Sequence, residues 1–387
     1  MDRDIPFNLH SFLQILLPPL VGYYVLAILV CIPETLKTRL SVLGPVLYLA
    51  YQAAVTLDLA GNREHLVYLN QGLVLSMVTL SMRCITWSFA LRPYRKLNNP
   101  GLDDKSHKNG RSYFLDAFDL CLNPRGIGWN WSKDLFLPHD ERPVNSRRAF
   151  AARVALSAVF HLTLFDFTHY HIQSFSPDTF GFHHGTIFDS NLPPISRYAR
   201  SSWISFCAGL VIYSAMHTIY DINTLIGVLV FKQDPKEWPP FFNKPWKATS
   251  LTEFWAKRWH QFFREIFVGL GGYPLSLVFG RVGGVIGSFL VSGILHYLGL
   301  WGMGKGSDVF GMIGYFVIMG AGVVLEGLYK KITGVRTQGW LGRTWTFLWL
   351  VGWANFLVDA WARKALISSQ FFPDSYRLAY LAFGSLA

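Results

Sequence analysis

Residues 283–302 read GGVIGSFLVSGILHYLGLWG, an apolar run that contains one histidine and regularly spaced small residues. Gly284, Ser288, Ser292 and His296 recur every four positions, so a helix places all four on one face. Small residues allow a neighbouring helix to approach closely within a membrane. This face is therefore predicted to point inward, where an ionisable side chain indicates a functional site. A histidine that only hydrogen-bonds to an adjacent helix is the structural alternative.

The remainder of the chain is also strongly apolar. Of its 387 residues, 51% are hydrophobic and only 15% are charged, against about 25% charged in soluble domains. A transmembrane helix needs about 20 mostly apolar residues. The stretches that qualify are 12–31, 40–57, 67–90, 149–166, 203–231, 266–301, 309–327 and 341–360. We predict an all-α, polytopic integral membrane protein, a single domain over 1–387 with about eight or nine transmembrane helices.

Basic residues indicate which loops face the cytosol, because lysine and arginine resist translocation. The loop 91–148 carries the densest basic cluster and is predicted to be cytosolic, as is 232–265. Residues 167–200 and the amino terminus are then lumenal. The glycine-rich segment 266–301 is expected to form a broken or re-entrant helix with one net crossing. That crossing keeps the next basic loop in the cytosol, the loop with Lys330, Lys331 and Arg336.

Three further features narrow the class of protein. The net charge of +11 is spread mostly over loops and not over a base-reading patch, so nucleic acid is not an expected partner. The first ten residues lack the positive cluster of a signal peptide, so the first apolar run is expected to remain as an anchor. The four cysteines form no CxxC pair, which predicts neither a disulfide framework nor a zinc site.

A second segment, SLTEFWAKRWHQFFRE at 250–265, combines charged and aromatic residues. Ser250 and Glu253 form an S-x-x-E capping box, which predicts a helix start. Helical spacing predicts an apolar face of Leu251, Trp255, Trp259, Phe262 and Ile266. It predicts a polar face of Glu253, Lys257, His260 and Arg264. The pattern is typical of an amphipathic helix at the membrane surface. The alternative is a binding site for a phosphorylated donor such as a coenzyme A thioester.

Two of these stretches carry a family resemblance. SLTEFWAKRWH (250–260) and SGILHYLG (292–299) resemble the paired signatures of the membrane-bound O-acyltransferase superfamily, specifically its wax-synthase-like branch. PFFNKPW (240–246) extends the similarity upstream, so the region 232–301 holds the family motifs. NPRGIGWNW (123–131) resembles a segment of fungal members that tailor terpenoids and related secondary metabolites. A surface turn with tryptophans at the membrane interface is the alternative for that segment.

The resemblance implies an acyl-CoA-dependent O-acyltransferase in a multi-pass protein of the endoplasmic reticulum, with a buried reaction chamber. It assigns His296 as general base for the hydroxyl of a lipophilic acceptor such as a terpenoid or meroterpenoid. Acetyl-CoA is the expected co-substrate, and no cofactor or metal is expected. Many relatives have asparagine where this chain has His260, which leaves that residue open between positioning the substrate, polarising the thioester carbonyl and supporting the structure. The implied substrate-binding residues are Trp255, Lys257, Arg258, Trp259, Ser292 and Lys244.

Other functions remain open from the residues alone. A long-chain wax ester or acylglycerol synthase would carry the same motifs, and a membrane terpene cyclase would need acids that protonate an alkene or epoxide. A transporter would need an ion path, for which the candidates are Glu326, Asn355, Asp359, Asp221 and Asn223. Three H-x-D-type spacings are expected to arise by chance: His161–Asp166, His184–Asp189 and His217–Asp221. A metal is not expected at His169, His171, His183 or His184.

Overall fold

The structure is a computed structural model that describes residues 3–61, 63–97, 113–133, 135–175, 185–304 and 308–385. The contacts group the chain into two compact units, each assembled from two stretches of sequence. The first unit comprises 1–135 and 261–307, and the second comprises 136–260 and 308–387. The prediction of a single domain stays a prediction.

Helices make up most of the described chain, which confirms the all-α class. They are α1 (Leu9–Ser11), α2 (Leu17–Cys31), α3 (Leu36–Thr56), α4 (Tyr68–Ser88), α5 (Tyr113–Leu122), α6 (Arg147–Gln173), α7 (Pro194–Leu225), α8 (Leu251–Glu253), α9 (Arg264–Phe267), α10 (Tyr273–Trp301), α11 (Tyr315–Thr333), α12 (Gly339–Arg363) and α13 (Leu378–Phe383). The strands within the described ranges form one short parallel pair, Ile5–Pro6 with Leu57–Asp58.

Five of the described helical stretches are long and apolar enough to cross a bilayer. They are Leu9–Cys31, Arg147–Gln173, Pro194–Val230, Arg264–Trp301 and Phe310–Thr333. Helices α3, α4 and α12 coincide with the other predicted spans but are not among these five. An integral membrane protein is therefore supported, and the count of eight or nine crossings stays a prediction.

In the first unit, α2, α3 and α4 pack around a core that includes Leu26, Val46 and Trp87. Arg83 of α4 is only 3% exposed, and both terminal nitrogens of its guanidinium donate hydrogen bonds. Its guanidinium donates to the Tyr23 hydroxyl at 2.6 Å and to the Leu120 carbonyl at 2.8 Å. Because a buried charge is costly without such partners, this network ties α4 to α2 and α5.

The segment that carries the second motif folds back on itself at Gly280. Gly280 has φ 59° and ψ −148°, a conformation that glycine adopts without strain and other residues do not. A methyl group on Gly271 would collide with the Gly287 carbonyl, and one on Gly287 would collide with the Gly271 carbonyl. A methyl group on Gly283 would likewise meet the carbonyl of Leu275. The two arms on either side of Gly280 are thus antiparallel and in backbone contact.

This hairpin decides one expectation about 266–301. The broken helix predicted from the glycine content is confirmed, with the break at Gly280. The single net crossing is wrong for this segment, because Ile266 of one arm packs in the same cluster as Leu295 of the other. The chain therefore returns to the level at which the hairpin begins. The reason is the close approach that glycines allow between the two arms.

In the second unit, α6 and α7 form a long helical pair and α12 completes the core. Phe165, Ile204 and Val358 are buried in that core. A buried ion pair holds the carboxyl-terminal segment, since Arg377 Nε donates to Asp166 Oδ1 at 2.9 Å. The other Asp166 oxygen accepts from the backbone amide of Ala379 at 2.9 Å. These contacts fix the chain end against α6.

Candidate active site

The second motif lies on the longer arm of the hairpin in the first unit. The small-residue face predicted for α10 is confirmed at its first two positions, because Gly272 of the opposite arm abuts Ser288 and Gly284. Ser292 is buried and His296 is half-buried further along the same helix. The first two residues of this face, Gly284 and Ser288, therefore contact the opposite arm of the hairpin. His296 lies one helical turn beyond Ser292.

The His296 ring is held by its own helix. Its Nδ1 lies 2.7 Å from the backbone carbonyl oxygen of Ser292. A carbonyl can only accept a hydrogen bond, so Nδ1 carries the proton. In the neutral ring the lone pair then resides on Nε2. This arrangement leaves Nε2 as the basic nitrogen, which is the atom that a general base needs.

The first motif begins in the second unit with the predicted cap. Ser250 is the N-cap residue, and its hydroxyl accepts from the Glu253 amide at 2.9 Å. The Glu253 carboxylate reaches one residue further back than a standard capping box, accepting from the amide and the hydroxyl of Thr249. The predicted start of the helix is confirmed, with this shift in the reciprocal contact.

The predicted continuation of that helix through Ile266 is wrong. After α8 the chain makes one π-helical turn over Phe254–Arg258, and Trp259 is extended with φ −75° and ψ 162°. Helical structure resumes only at α9. A π-helical turn brings residues five apart together, and Glu253 accordingly pairs with Arg258 at 2.6 Å, whereas a regular helix would bring Lys257, four residues on, beside it. The single apolar face therefore does not form.

Arg258 is committed to holding this segment. Besides its ion pair with Glu253, it donates to the Asn243 carbonyl at 3.0 Å, and its own carbonyl accepts from the Asn243 amide. Burial by itself raises the pKa of the Glu253 carboxyl, but the hydrogen bonds from Thr249 and Arg258 outweigh it, and the pKa lies below its ordinary value. Arg258 thus joins the first motif to the PFFNKPW stretch.

The other basic residues of the predicted donor site are more exposed. Lys257 is exposed and lies over the Phe136 ring at 5.6 Å. Lys244 has a left-handed backbone with φ 46°, and its Nζ lies 2.6 Å from Glu141 Oε1 at the surface. Lys247 is also exposed. Three lysines therefore flank the motif where an anionic group can reach them.

His260 lies within an aromatic cluster. Its ring is parallel to Phe241 at 5.7 Å and edge-on to Phe242 at 6.0 Å. Trp259 packs 4.9 Å from Phe242 and stacks on Phe254, and Trp255 meets Trp259 edge-on. The structure thus brings the two predicted tryptophans and His260 together with two phenylalanines of PFFNKPW.

The predicted site residues divide between the two units. His296 and Ser292 belong to the first unit. The second unit holds the remainder, namely Lys244, Trp255, Lys257, Arg258, Trp259 and His260. Within the second unit, Glu326 is a further residue at the first motif, and its carboxylate accepts from the Leu251 and Thr252 amides. The sequence indicated Glu326 as an acidic residue inside an apolar helix. From the sequence it is considered as part of an ion path and not as a partner of the first motif.

The five polar residues considered as an ion path all have hydrogen-bond partners in the second unit. Glu326 bonds to Leu251 and Thr252, Asn355 to Ser202, Asp359 to Thr186 and Ile187, Asp221 to His217, and Asn223 to the Ile219 carbonyl. Asn223 is exposed, and the hydrogen bonds of the other four account for the burial of their side chains.

One cluster of metal-ligand type occurs among the described residues. His161, His217 and Asp221 place their nearest ligand atoms within 4.8 Å of one another. The two rings are stacked at 3.9 Å with planes only 7° apart, and His161 Nδ1 donates to the Ser157 carbonyl. Ring lone pairs lie in the ring planes, so parallel rings do not converge on one ion. The arrangement fits a hydrogen-bonded cluster better than a metal centre.

The other histidines raised from the sequence are placed separately. His169 Nε2 lies 2.9 Å from the Ile367 carbonyl, and His171 accepts from the Trp203 indole. His183 and His184 lie outside the described residues, as do Lys105, Lys108 and Arg111 of the 91–148 loop. Asp166 pairs with Arg377 and not with His161. The expectation that no metal binds at these histidines stays a prediction.

NPRGIGWNW forms a tight turn in the first unit. Gly126 and Gly128 have φ +65° and +80°, and the ring of Trp131 fills the space where a Gly126 side chain would lie. Trp129 is 1% exposed, and its indole donates to Asp119 Oδ2 at 2.8 Å. This tryptophan is therefore buried against α5 and is not an interfacial anchor.

Comparison with known proteins finds a family match over the region that contains both motifs. The model of the Membrane bound O-acyl transferase family matches residues 238–318. Acetyltransferase ple2 of Rhodocybe pseudopiperita is 26% identical over 247 residues, covering 60% of this chain and 62% of that protein. Acetyltransferase eriL of Hericium erinaceus is 25% identical over 281 residues, covering 66% and 68%.

A plant relative is named for a different acyl group. The Probable long-chain-alcohol O-fatty-acyltransferase 1 of Arabidopsis thaliana is 30% identical over 123 residues, covering 30% of this chain and 34% of that protein. The match to ple2 spans less than two thirds of that relative. With both signatures present, the family-model match over the motif region and the apolar helices agree on one conclusion. Over its motif region, residues 238–318, the chain is similar to the Membrane bound O-acyl transferase family.

Proposed function

We propose that this protein is an O-acyltransferase that moves an acyl group, acetyl in the first place, from acyl-CoA to the hydroxyl of a lipophilic alcohol. The acceptor class is a terpenoid or meroterpenoid alcohol. The membrane of the endoplasmic reticulum is the proposed location, where the acceptor partitions into lipid and acyl-CoA arrives from the cytosol. No metal or cofactor takes part in the proposed reaction.

The carrying observation is the hydrogen bond from His296 Nδ1 to the Ser292 carbonyl. It fixes the tautomer in which Nε2 accepts a proton, and it does so with a backbone atom that does not change charge. An imidazole with an ordinary pKa of about 6.5 is largely unprotonated at neutral pH. His296 is therefore suited to remove the proton of an alcohol.

The proposed steps balance with this one base. His296 Nε2 accepts the hydroxyl proton while the alcohol oxygen bonds to the thioester carbon, which forms a tetrahedral oxyanion. The carbon–sulfur bond then breaks, and the imidazolium returns its proton to the coenzyme A thiolate. Ester and coenzyme A leave, and no acyl-enzyme forms. Positioned proton transfer of this kind contributes about 10²- to 10⁴-fold in rate.

The first motif is proposed to serve acyl-CoA. Lys244, Lys247 and Lys257 present ammonium groups that can pair with phosphates. His260 is assigned to the acyl-CoA as a hydrogen-bond donor or as a positioning residue, and its aromatic neighbours exclude water from the ring. Arg258 acts through the structure of the segment, since Glu253 and Asn243 already engage its guanidinium.

The acetyl donor is favoured by the fungal relatives ple2 and eriL, which are both named acetyltransferases. A long-chain donor is the second candidate, because the Arabidopsis relative is named a long-chain-alcohol O-fatty-acyltransferase. The lipophilic nature of the acceptor is consistent with that name and with an Acyl-CoA–sterol O-acyltransferase 1 from the same plant.

The test is transfer of label in membranes that contain the expressed protein. Acetyl-CoA and palmitoyl-CoA, each labelled in the acyl group, are incubated with terpenoid alcohols, a sterol and hexadecanol. Labelled acetyl ester of a terpenoid alcohol is the expected product. A long-chain ester supports the second donor instead. Isomerised substrate without label, or labelled flux without a new ester, would contradict acyl transfer.

A matched pair of variants assigns the base. H296A is expected to lower turnover by about 10²- to 10⁴-fold, while the variant is still inserted and folded. H161A is the control, because His161 also sits four residues after a serine and bonds through Nδ1 to that serine's carbonyl, at 2.8 Å. Equal loss in both variants, or full activity in H296A, would overturn the assignment.

A further inference from the structure

Glu326 of α11 makes a concentrated set of contacts with the start of the first motif. Its Oε1 accepts from the Leu251 amide at 2.6 Å, and its Oε2 accepts from the Thr252 amide at 2.9 Å and the Thr252 hydroxyl at 2.7 Å. The Trp345 indole of α12 donates to Oε1 at 3.1 Å. Each carboxylate oxygen thus accepts two hydrogen bonds.

A carboxylate suits this contact, because the Leu251 and Thr252 amides, the Thr252 hydroxyl and the Trp345 indole are all donors. Glu326 is 6% exposed, so its charge needs several donors to offset desolvation. The first amides of a helical turn have no partners within the helix. A carboxylate that accepts from two such amides satisfies both at once, and its charge complements the partial positive charge of the helix start.

Two glycines, one on α11 and one on α12, also pack closely against residues 249–251. A methyl group on Gly322 of α11 would lie 2.5 Å from the Leu251 side chain. A methyl group on Gly342 of α12 would collide with the Thr249 carbonyl. The start of the first motif therefore contacts α11 and α12 at three places. Thr249 packs on Gly342, Leu251 packs on Gly322, and the Leu251 and Thr252 amides donate to Glu326.

We propose that Glu326 is a positioning residue for the acyl-CoA side of the reaction. It fixes where the segment begins that carries Lys257, the aromatic cluster and His260. Glu326 lies outside residues 238–318, the part of the chain that the family model matches. The inference rests on the proposed function, since it assigns the first motif to acyl-CoA, and it adds the residue that holds that motif in place.

A carboxylate is needed rather than any polar group of similar size. Glutamine retains one oxygen but places an amide NH₂ where a second set of donors points, so half of the contacts become repulsive or are lost. Aspartate keeps both oxygens and the charge but is one methylene shorter. The order of function expected for position 326 is therefore glutamate, then aspartate, then glutamine.

The experiment compares E326Q and E326D with D359N in detergent-purified, full-length protein. Asp359 is a matched control, because it is also 6% exposed, belongs to the same unit and accepts hydrogen bonds from Thr186, Ile187 and Arg363 rather than from the first motif. The readouts are the two KM values, kcat per folded protein, and the Kd of a thioether analogue of acetyl-CoA that cannot transfer its acyl group.

E326Q is expected to raise the KM for acetyl-CoA and the Kd of the analogue about tenfold, with the KM for the alcohol unchanged. E326D is expected to recover part of that loss. D359N is expected to lower the folded yield and to leave both KM values and the Kd unchanged, as any purely structural role does.

Two results separate this inference from the proposed function. If wild-type protein does not bind the analogue and forms no ester, the proposed function fails. If wild-type protein binds the analogue and E326Q binds it equally well, the proposed function stands and the positioning role of Glu326 is overturned. A parallel rise in the KM for both substrates would also overturn it, since the role is specific to acyl-CoA.

Discussion

The two motifs are held in place in opposite ways. The second motif is part of α10, a long helix in which the face of each residue follows from its position in the sequence. The first motif occupies a three-residue helix, one π-helical turn and an extended residue. Its shape is set by residues far along the chain. Gly322 and Glu326 contact Leu251 from 71 and 75 residues away, and Gly342 contacts Thr249 from 93 residues away.

This difference in how the two motifs are held indicates how each one responds to substitution. A residue on α10 keeps its place as long as the hairpin packs. A residue of the first motif keeps its place only while distant side chains accept its amides. Substitutions should therefore act on the second motif through helix packing and on the first through individual hydrogen bonds.

The largest effect is expected from breaking the hairpin. G287L adds a side chain where even a methyl group would collide with the Gly271 carbonyl, so the arms must separate. We expect loss of folded, monodisperse protein in detergent, measured by size-exclusion chromatography of a fluorescent fusion. G209A is the control, because a methyl group at Gly209 of α7 meets open space. A normal elution profile for G287L would show that the backbone contact is dispensable.

An intermediate effect is expected from the Glu253–Arg258 pair of the first motif. E253Q removes the ion pair and weakens the bonds to Thr249, at a cost of about 1–2 kcal/mol. Because the pKa of Glu253 is lowered in the folded protein, its contribution to stability is present above the ordinary carboxyl pKa and is lost as the pH falls through the lowered value.

The measurement is the melting temperature of wild type and E253Q between pH 8 and pH 4. The difference between the two proteins should be constant at neutral pH and should narrow at the acid end. E141Q is the control, since Glu141 pairs with Lys244 at an exposed surface. A difference that widens towards acid pH contradicts the role given to the carboxylate.

The smallest effect is expected from H260N. Asparagine also carries a donor, so turnover should stay within about tenfold of wild type. H260A removes the donor and should lose more. Equal kcat and KM values in wild type, H260N and H260A would reduce His260 to a structural member of the aromatic cluster.

Sequence periodicity predicted what local structure determines. The helices, the inward face of α10 and the break in 266–301 all follow from residue spacing and glycine content. The N-cap of the first motif followed from Ser250 and Glu253 for the same reason, because a capping contact spans only three residues.

Contacts between distant parts of the chain could not be predicted in this way. Nothing local to 250–265 indicates that a π-helical turn replaces the α-helix or that Glu253 selects Arg258 over Lys257. Glu326 was visible as an acidic residue in an apolar helix, but its partners are backbone amides, which every sequence contains. The sequence did not predict that the chain reverses direction at Gly280, because glycine content indicates that a helix breaks but not the angle between its two parts.

The hairpin also sets the depth of the histidine. Gly280 puts Arg281 at the closed end of the hairpin, and an arginine costs about 3 kcal/mol in the middle of a membrane, so this end should rest among lipid headgroups. His296 follows fifteen residues later, about 22 Å along the helix axis. In a hydrocarbon layer about 30 Å thick, we expect the imidazole to lie close to the opposite membrane surface, within reach of a water-soluble acyl donor.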